Sequence, residues 1–111
     1  MHARVATFEL VDLDGVEDVV QWANEHGHEL TDAHFQGYEG GLALLDHENR
    51  RIIDINLFDT EANARHGDRV LERGLPPEMP DHIKTIVKRS TRSSKGVFEL
   101  LISDGRAASL T

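Results

Sequence analysis

The chain contains no cysteine, which excludes a disulfide framework, a thiolate metal site and a cysteine nucleophile together. It also lacks any apolar run near the roughly 20 residues that cross a bilayer as a helix. The opening MHARVATFEL alternates polar with apolar residues where a signal peptide would carry a continuous hydrophobic core. Positive charge is scarce. Twelve Lys and Arg stand against 20 Asp and Glu, a formal charge of −8, which repels a phosphate backbone unless the cations are sharply clustered. Lys84, Lys88, Arg89, Arg92 and Lys95 gather only loosely and read as a solvated face. The 9 glycines form neither a GxGxxG nor a P-loop arrangement, so no nucleotide cofactor is expected. These absences point away from nucleic acid and membranes and towards a cytoplasmic protein.

At 111 residues with 39% hydrophobic content, the chain suits a single domain that buries about two thirds of its unfolded surface. Residues 1–104 are read as that domain and residues 105–111 as a flexible C-terminal tail. Residues 3–11 are rich in β formers and alternate imperfectly, as in a strand with both faces partly covered. Asp14 is placed to cap a helix over 16–32. In it Val16, Val19, Val20, Ala23, Gly27 and Leu30 make one apolar stripe, expected to lie on a sheet. Two apolar runs, 38–46 and 51–58, flank the polar His47-Glu48-Asn49-Arg50 and read as a hairpin. Asp59-Thr60 caps a second helix over 61–73, stopped by Gly74 and Pro76-Pro77. Pro80 opens a short third helix that puts Ile83, Ile86 and Val87 on one face. A polar loop, Ser-Thr-Arg-Ser-Ser-Lys, then leads to a last strand over 96–103.

Strand, helix, strand, strand, helix, strand is the split βαβ order of an α+β ferredoxin-like βαββαβ fold with a four-stranded antiparallel sheet. Both registers of the strands carry apolar groups. Ala6, Phe8, Ile53, Ile55, Leu57 and Phe98 occupy one register of their own strand, and Val5, Ile52, Phe58 and Val97 the other. One layer of helices covers only one face, so the other is expected to be closed by a second copy, as a homodimer.

The sequence resembles the antibiotic biosynthesis monooxygenase family. Residues 3–9, Ala-Arg-Val-Ala-Thr-Phe-Glu, resemble its first strand, and residues 37–46, Gly-Tyr-Glu-Gly-Gly-Leu-Ala-Leu-Leu-Asp, its glycine, aromatic, glycine entry to strand two. Residues 53–62, Ile-Asp-Ile-Asn-Leu-Phe-Asp-Thr-Glu-Ala, resemble the strand that ends in an aromatic and the capped start of helix two. The resemblance implies a dimeric α/β barrel with its pocket between helices and sheet. It also implies a cofactor-independent monooxygenase acting on a small aromatic or polyketide-like substrate. The family usually has Trp where Phe58 stands. Its haem-degrading members place Asn on strand one and His on helix two. Here strand one has no Asn, and His66 follows Phe58 by eight residues, one short of that pattern, so haem degradation is not expected.

Candidate site residues are polar groups on faces that should otherwise be apolar. His66, at i+4 steps from Ala62 and Val70, is a candidate general base or else a half-buried histidine bonded to a carbonyl. Asn56 and Asp54 share the register of Ile52 and Phe58. If that register faces the helices, Asn56 is a partner for a substrate oxygen, and Asp54 orients His66 or takes the proton itself; otherwise both lie near an edge in water. Thr7 is a further candidate of this kind. Trp22 and His26 flank the stripe of helix one, and with Phe58 they are candidate pocket walls or plain packing residues. Seven histidines invite a metal reading, but no helix face gathers enough of them, so no metal is expected. A cyclase or isomerase using the same pocket, or a non-catalytic small-ligand-binding domain, are the alternative functions.

Overall fold

The computed structural model describes residues 1–101. The elements run β1 (His2–Glu9), α1 (Val16–His34), β2 (Tyr38–Asp46), β3 (Arg51–Phe58), α2 (Glu61–Glu72), α3 (Asp81–Lys88) and β4 (Thr91–Glu99). The sheet order is β2-β3-β1-β4, every neighbouring pair antiparallel. That is the expected ferredoxin-like arrangement, and the bounds of β2 and β3 agree with the hairpin expected over 38–58.

Cross-strand pairing decides which residues share a face. His2, Arg4, Ala6 and Phe8 stand opposite Phe58, Asn56, Asp54 and Ile52. Arg4 donates to Asp68 of α2, so this register faces the helices. Its opposite, with Val5, Thr7, Ile53, Ile55 and Leu57, faces away. Ala6 and Phe8 therefore lie on the helix-covered face with Ile52 and Phe58, while Ile53, Ile55 and Leu57 belong to the face without helices, where Leu57 is buried and Ile53 and Ile55 are half-buried.

α2 seats its small residues on the sheet: Ala64 and Gly67 are buried, and Phe58, 1% exposed, fills the space beneath. A methyl at Gly67 would come within 2.6 Å of Phe58 Cζ. Gly67→Ala is accordingly expected to destabilise the fold by about 1–3 kcal/mol through overpacking, although alanine is the better helix former. A urea titration reads this directly. Thr60 caps α2 as expected, its hydroxyl accepting from Asn63 N at 3.1 Å.

Four expectations are corrected. β4 begins at Thr91 and not near residue 96, because it pairs along the whole of β1, Thr91 opposite Glu9. As an edge strand it leaves Thr91 to Lys95 exposed, which is why its composition reads as a loop. α1 is not capped by Asp14: Gly15 stands at the cap with φ +82° and no side-chain bond. A side chain there would strike Ile86, and a positive φ suits glycine. α1 also packs chiefly against α3 and only sparsely against the sheet, so Val20 and Ala23 of its stripe stay exposed. Finally, α2 does not turn Ala62, His66 and Val70 to the sheet; its buried side is Ala64 and Gly67. The last residues of the expected strand, 102–103, and the expected tail, 105–111, lie outside the described residues. No described helix is long and apolar enough to cross a membrane.

Candidate functional site

Because α1 stands off the sheet, a cleft of about 430 Å³ opens between it and β2, lined by Val16, Glu17, Val20, Gln21, Asn24, Glu25 and Leu45. Spacings of three and four residues put the α1 members on one side of that helix. Leu45 lines the strand side of the cleft. Gly41 and Ala43, both exposed, stand beside Asn56 and Asp54 of β3; of these two polar residues Asn56 is buried and Asp54 stays partly open.

Asp54 is the centre of a polar floor on the helix-facing register of β3, beside the cleft and outside the residues that line it. Its side chain keeps 38% of its surface open. Oδ2 accepts from Arg4 Nη1 and from Asn56 Nδ2, each at 3.3 Å. Oδ1 receives no hydrogen bond among the described residues. Protein atoms crowd the carboxyl and displace its water, which raises its pKa above the ordinary aspartate value. The charge of Arg4 and the bond from Asn56 oppose that shift without cancelling it.

Tyr38 supplies the second group. Its ring packs edge-on against Phe58, centroids 5.8 Å apart, and tilted against Phe35 at 5.8 Å. The absence of a side chain at Gly41 admits its hydroxyl: a Cβ there would collide with the tyrosine oxygen and sit 3.4 Å from Asn56 Oδ1. Burial, and then the charge of Asp54, hold the phenol above its usual pKa, so it remains a proton-bearing donor at neutral pH. It makes no hydrogen bond among the described residues.

Arg4 ties the floor to the rest of the sheet. Only 3% exposed, it reaches Asp54 through Nη1 and Asp68 Oδ1 through Nε at 3.2 Å. Asp68 Oδ2 accepts from Lys95 Nζ at 2.7 Å, and Lys95 also bonds Glu72. Burial would push Asp68 up, but hydrogen bonds from Lys95 and Arg4 outweigh it and hold the carboxyl below the usual range.

The structure thus brings Asp54 and Asn56 together on the helix-facing register, with Phe58 supporting Tyr38 from inside the core and not lining the cleft. His66 is half-exposed on a flank of α2. It lies two residues from both Ala64 and Asp68, a turn of about 200° on a helix, and Asp54 pairs with Arg4 and Asn56 instead. Thr7 faces away from the helices, and Ser93 donates to its carbonyl. Trp22 and His26 pair with each other, centroids 6.1 Å apart, on a side of α1 that does not line the cleft.

Three members escaped the sequence reading: Arg4, Asp68 and Tyr38. For Arg4 a signal exists, since a cation shares a strand register with Ala6 and Phe8, where a charge needs a buried partner. The partner, Asp68, is 64 residues away and carries no local mark.

No protein-family model matches the sequence, and no curated protein matches it. The fold is similar to that of a solved structure from an uncultured marine organism, described as a dimeric ferredoxin-like protein. The TM-score is 0.56 at 12% identity, over 96% of this chain and 100% of the other. At that identity the likeness concerns the fold, and with the strand order above it establishes an α+β ferredoxin-like βαββαβ architecture.

Proposed function

We propose that the protein is a cofactor-independent oxygenase of the antibiotic biosynthesis monooxygenase type, acting on a small aromatic or polyketide-like substrate over the polar floor of β3, with Asp54 as the base. One observation carries this reading: Asp54, its side chain partly open, is held through Oδ2 alone and leaves Oδ1 unengaged among the described residues, and the hydroxyl of Tyr38, likewise unengaged, lies close by over Gly41. A raised pKa brings a carboxylate closer to the proton affinity that general-base catalysis at neutral pH requires. The resemblance of residues 3–9, 37–46 and 53–62 to the family supports dioxygen as the acceptor.

The chemistry balances without a bound cofactor. Asp54 Oδ1 removes a proton from a carbon activated by a neighbouring carbonyl, as in an anthrone, and Tyr38 donates to the oxygen where charge develops. The carbanion gives its electrons to dioxygen, forming a carbon–oxygen bond and, after protonation, a hydroperoxide. Loss of water leaves a carbonyl, so a methylene and one dioxygen become a ketone and one water.

The test is oxygen uptake by pure protein with anthrone. One dioxygen per anthrone is expected, and Asp54→Asn should lower the rate by about 10²–10⁴-fold. No uptake above buffer overturns the oxygenase reading, and turnover that persists without oxygen replaces it with a cyclase or isomerase on the same floor. The uncovered sheet face supports self-association, and we take the functional unit to be a homodimer whose two sheets meet on that face.

A further inference from the structure

We propose that Asp68 is a positioning residue for Asp54: by holding one edge of the buried Arg4 guanidinium, it limits how far Arg4 neutralises the base. This rests on the assignment of Asp54 above. An arginine free to choose grips a carboxylate with two parallel bonds. Arg4 instead divides, Nε to Asp68 and Nη1 to Asp54, at 3.2 and 3.3 Å. The division is enforced from outside the cleft. Lys95 takes the second oxygen of Asp68 and also bonds Glu72, which Arg92 approaches at 3.6 Å. Charges therefore alternate from the polar floor of β3 to the edge of β4: Asp54, Arg4, Asp68, Lys95, Glu72, Arg92.

Asp68 has both oxygens engaged, whereas Asp54 is held through one oxygen only. This asymmetry keeps Asp54 oriented while sparing Oδ1. The other groups around Asp54 do not replace the effect. Asn56 on β3 donates to Oδ2. Tyr38 on β2 is neutral, and the α1 residues of the neighbouring cleft, Glu17, Gln21, Asn24 and Glu25, include no cation. Arg4 is the cation hydrogen-bonded to Asp54 among the described residues, and Asp68 is the carboxylate that competes for it.

Titration of the Asp54 carboxyl carbon by NMR tests this without recourse to turnover. In Asp68→Asn, Arg4 is released towards Asp54, and the midpoint should fall by about one unit, a tenfold loss of proton affinity. In Lys95→Gln, Asp68 is freed to take more of Arg4, and the midpoint should rise. Opposite shifts, mirrored in the acid limb of kcat/KM where turnover is found, are the expected result. Loss of the charges alone would move the midpoints in these directions with Arg4 in place, so the Arg4 Nε–H and Nη–H resonances are followed in the same samples. A changed Arg4 Nε–H signal in both variants accompanies the expected shifts, and shifts with Arg4 unchanged, unmoved midpoints, or shifts of the same sign overturn the proposal. Should Asp68→Asn fail to fold, Lys95→Gln, at a partly exposed position, decides alone: a fall or no change overturns the proposal. Midpoints that move in a protein without oxygenase activity would sink the function above and leave this inference standing. Activity lost in Asp54→Asn with unmoved midpoints would do the reverse.

Discussion

Replacing Arg4 with alanine is expected to destabilise the fold by about 3–5 kcal/mol, the range found when one partner of a buried ion pair is removed. Against a total of about 5–15 kcal/mol for a domain of ordinary stability, that is a large fraction. The size follows from the position. Arg4 is almost wholly buried and serves two carboxylates at once, so its loss leaves Asp54 and Asp68 facing each other without the cation between them. The pH dependence has a definite sign. Asp68 has a depressed folded-state pKa, so its stabilisation is present above the unfolded carboxylate value and lost as pH falls through the folded one. Asp54 is raised, so its contribution is present below the unfolded value and lost as pH rises through the folded one. Without Arg4 both carboxyls move up, and the deficit of the variant should be greatest at neutral pH and shrink towards about pH 4. Urea midpoints of wild type and variant across that range check it. A deficit that stays constant with pH would mean that Arg4 acts through packing of its aliphatic stem.

The second large effect concerns the uncovered face. Leu44 and Phe98 are 50% and 56% exposed and stand on the same side as Val5, Ile53 and Ile55. Phe98 folds its ring over Gly96, which presents an aromatic surface outward from β4. In a symmetric pair of sheets each residue meets its counterpart's surroundings twice. Leu44→Lys would therefore bury two unpaired charges, and self-association should weaken at least about a hundredfold, or roughly 3 kcal/mol. Sedimentation equilibrium at micromolar concentration gives the measurement. Val20→Lys is the control: it is as exposed as Leu44 but lies in the cleft beneath α1, and it should leave the association constant unchanged. A wild-type chain that sediments as a single subunit would refute the dimer directly.

The candidate site was legible to the extent that its residues lie on one strand. Asp54 and Asn56 interrupt an apolar run with period two, so both had to share a face, whichever face it was. His66 misled because α2 carries few apolar residues, and a thin stripe does not define a helix's rotation. The rotation was set instead by the Phe58 ring, which needs Gly67 above it. Thr7 misled for a related reason. Its register could be assigned to a face only through the pairing of β1 with β3, a contact between segments about 50 residues apart.

Local pattern by itself determined the order of elements, the hairpin of β2 and β3, the cap at Thr60 and the surplus of apolar strand surface, because these depend on residues a few positions apart. Tertiary structure alone decided which register meets the helices, how far α1 stands from the sheet, and that Arg4 would find Asp68 and Asp54. Those outcomes depend on how distant segments fill common space and satisfy buried charge, quantities that no short window of sequence contains.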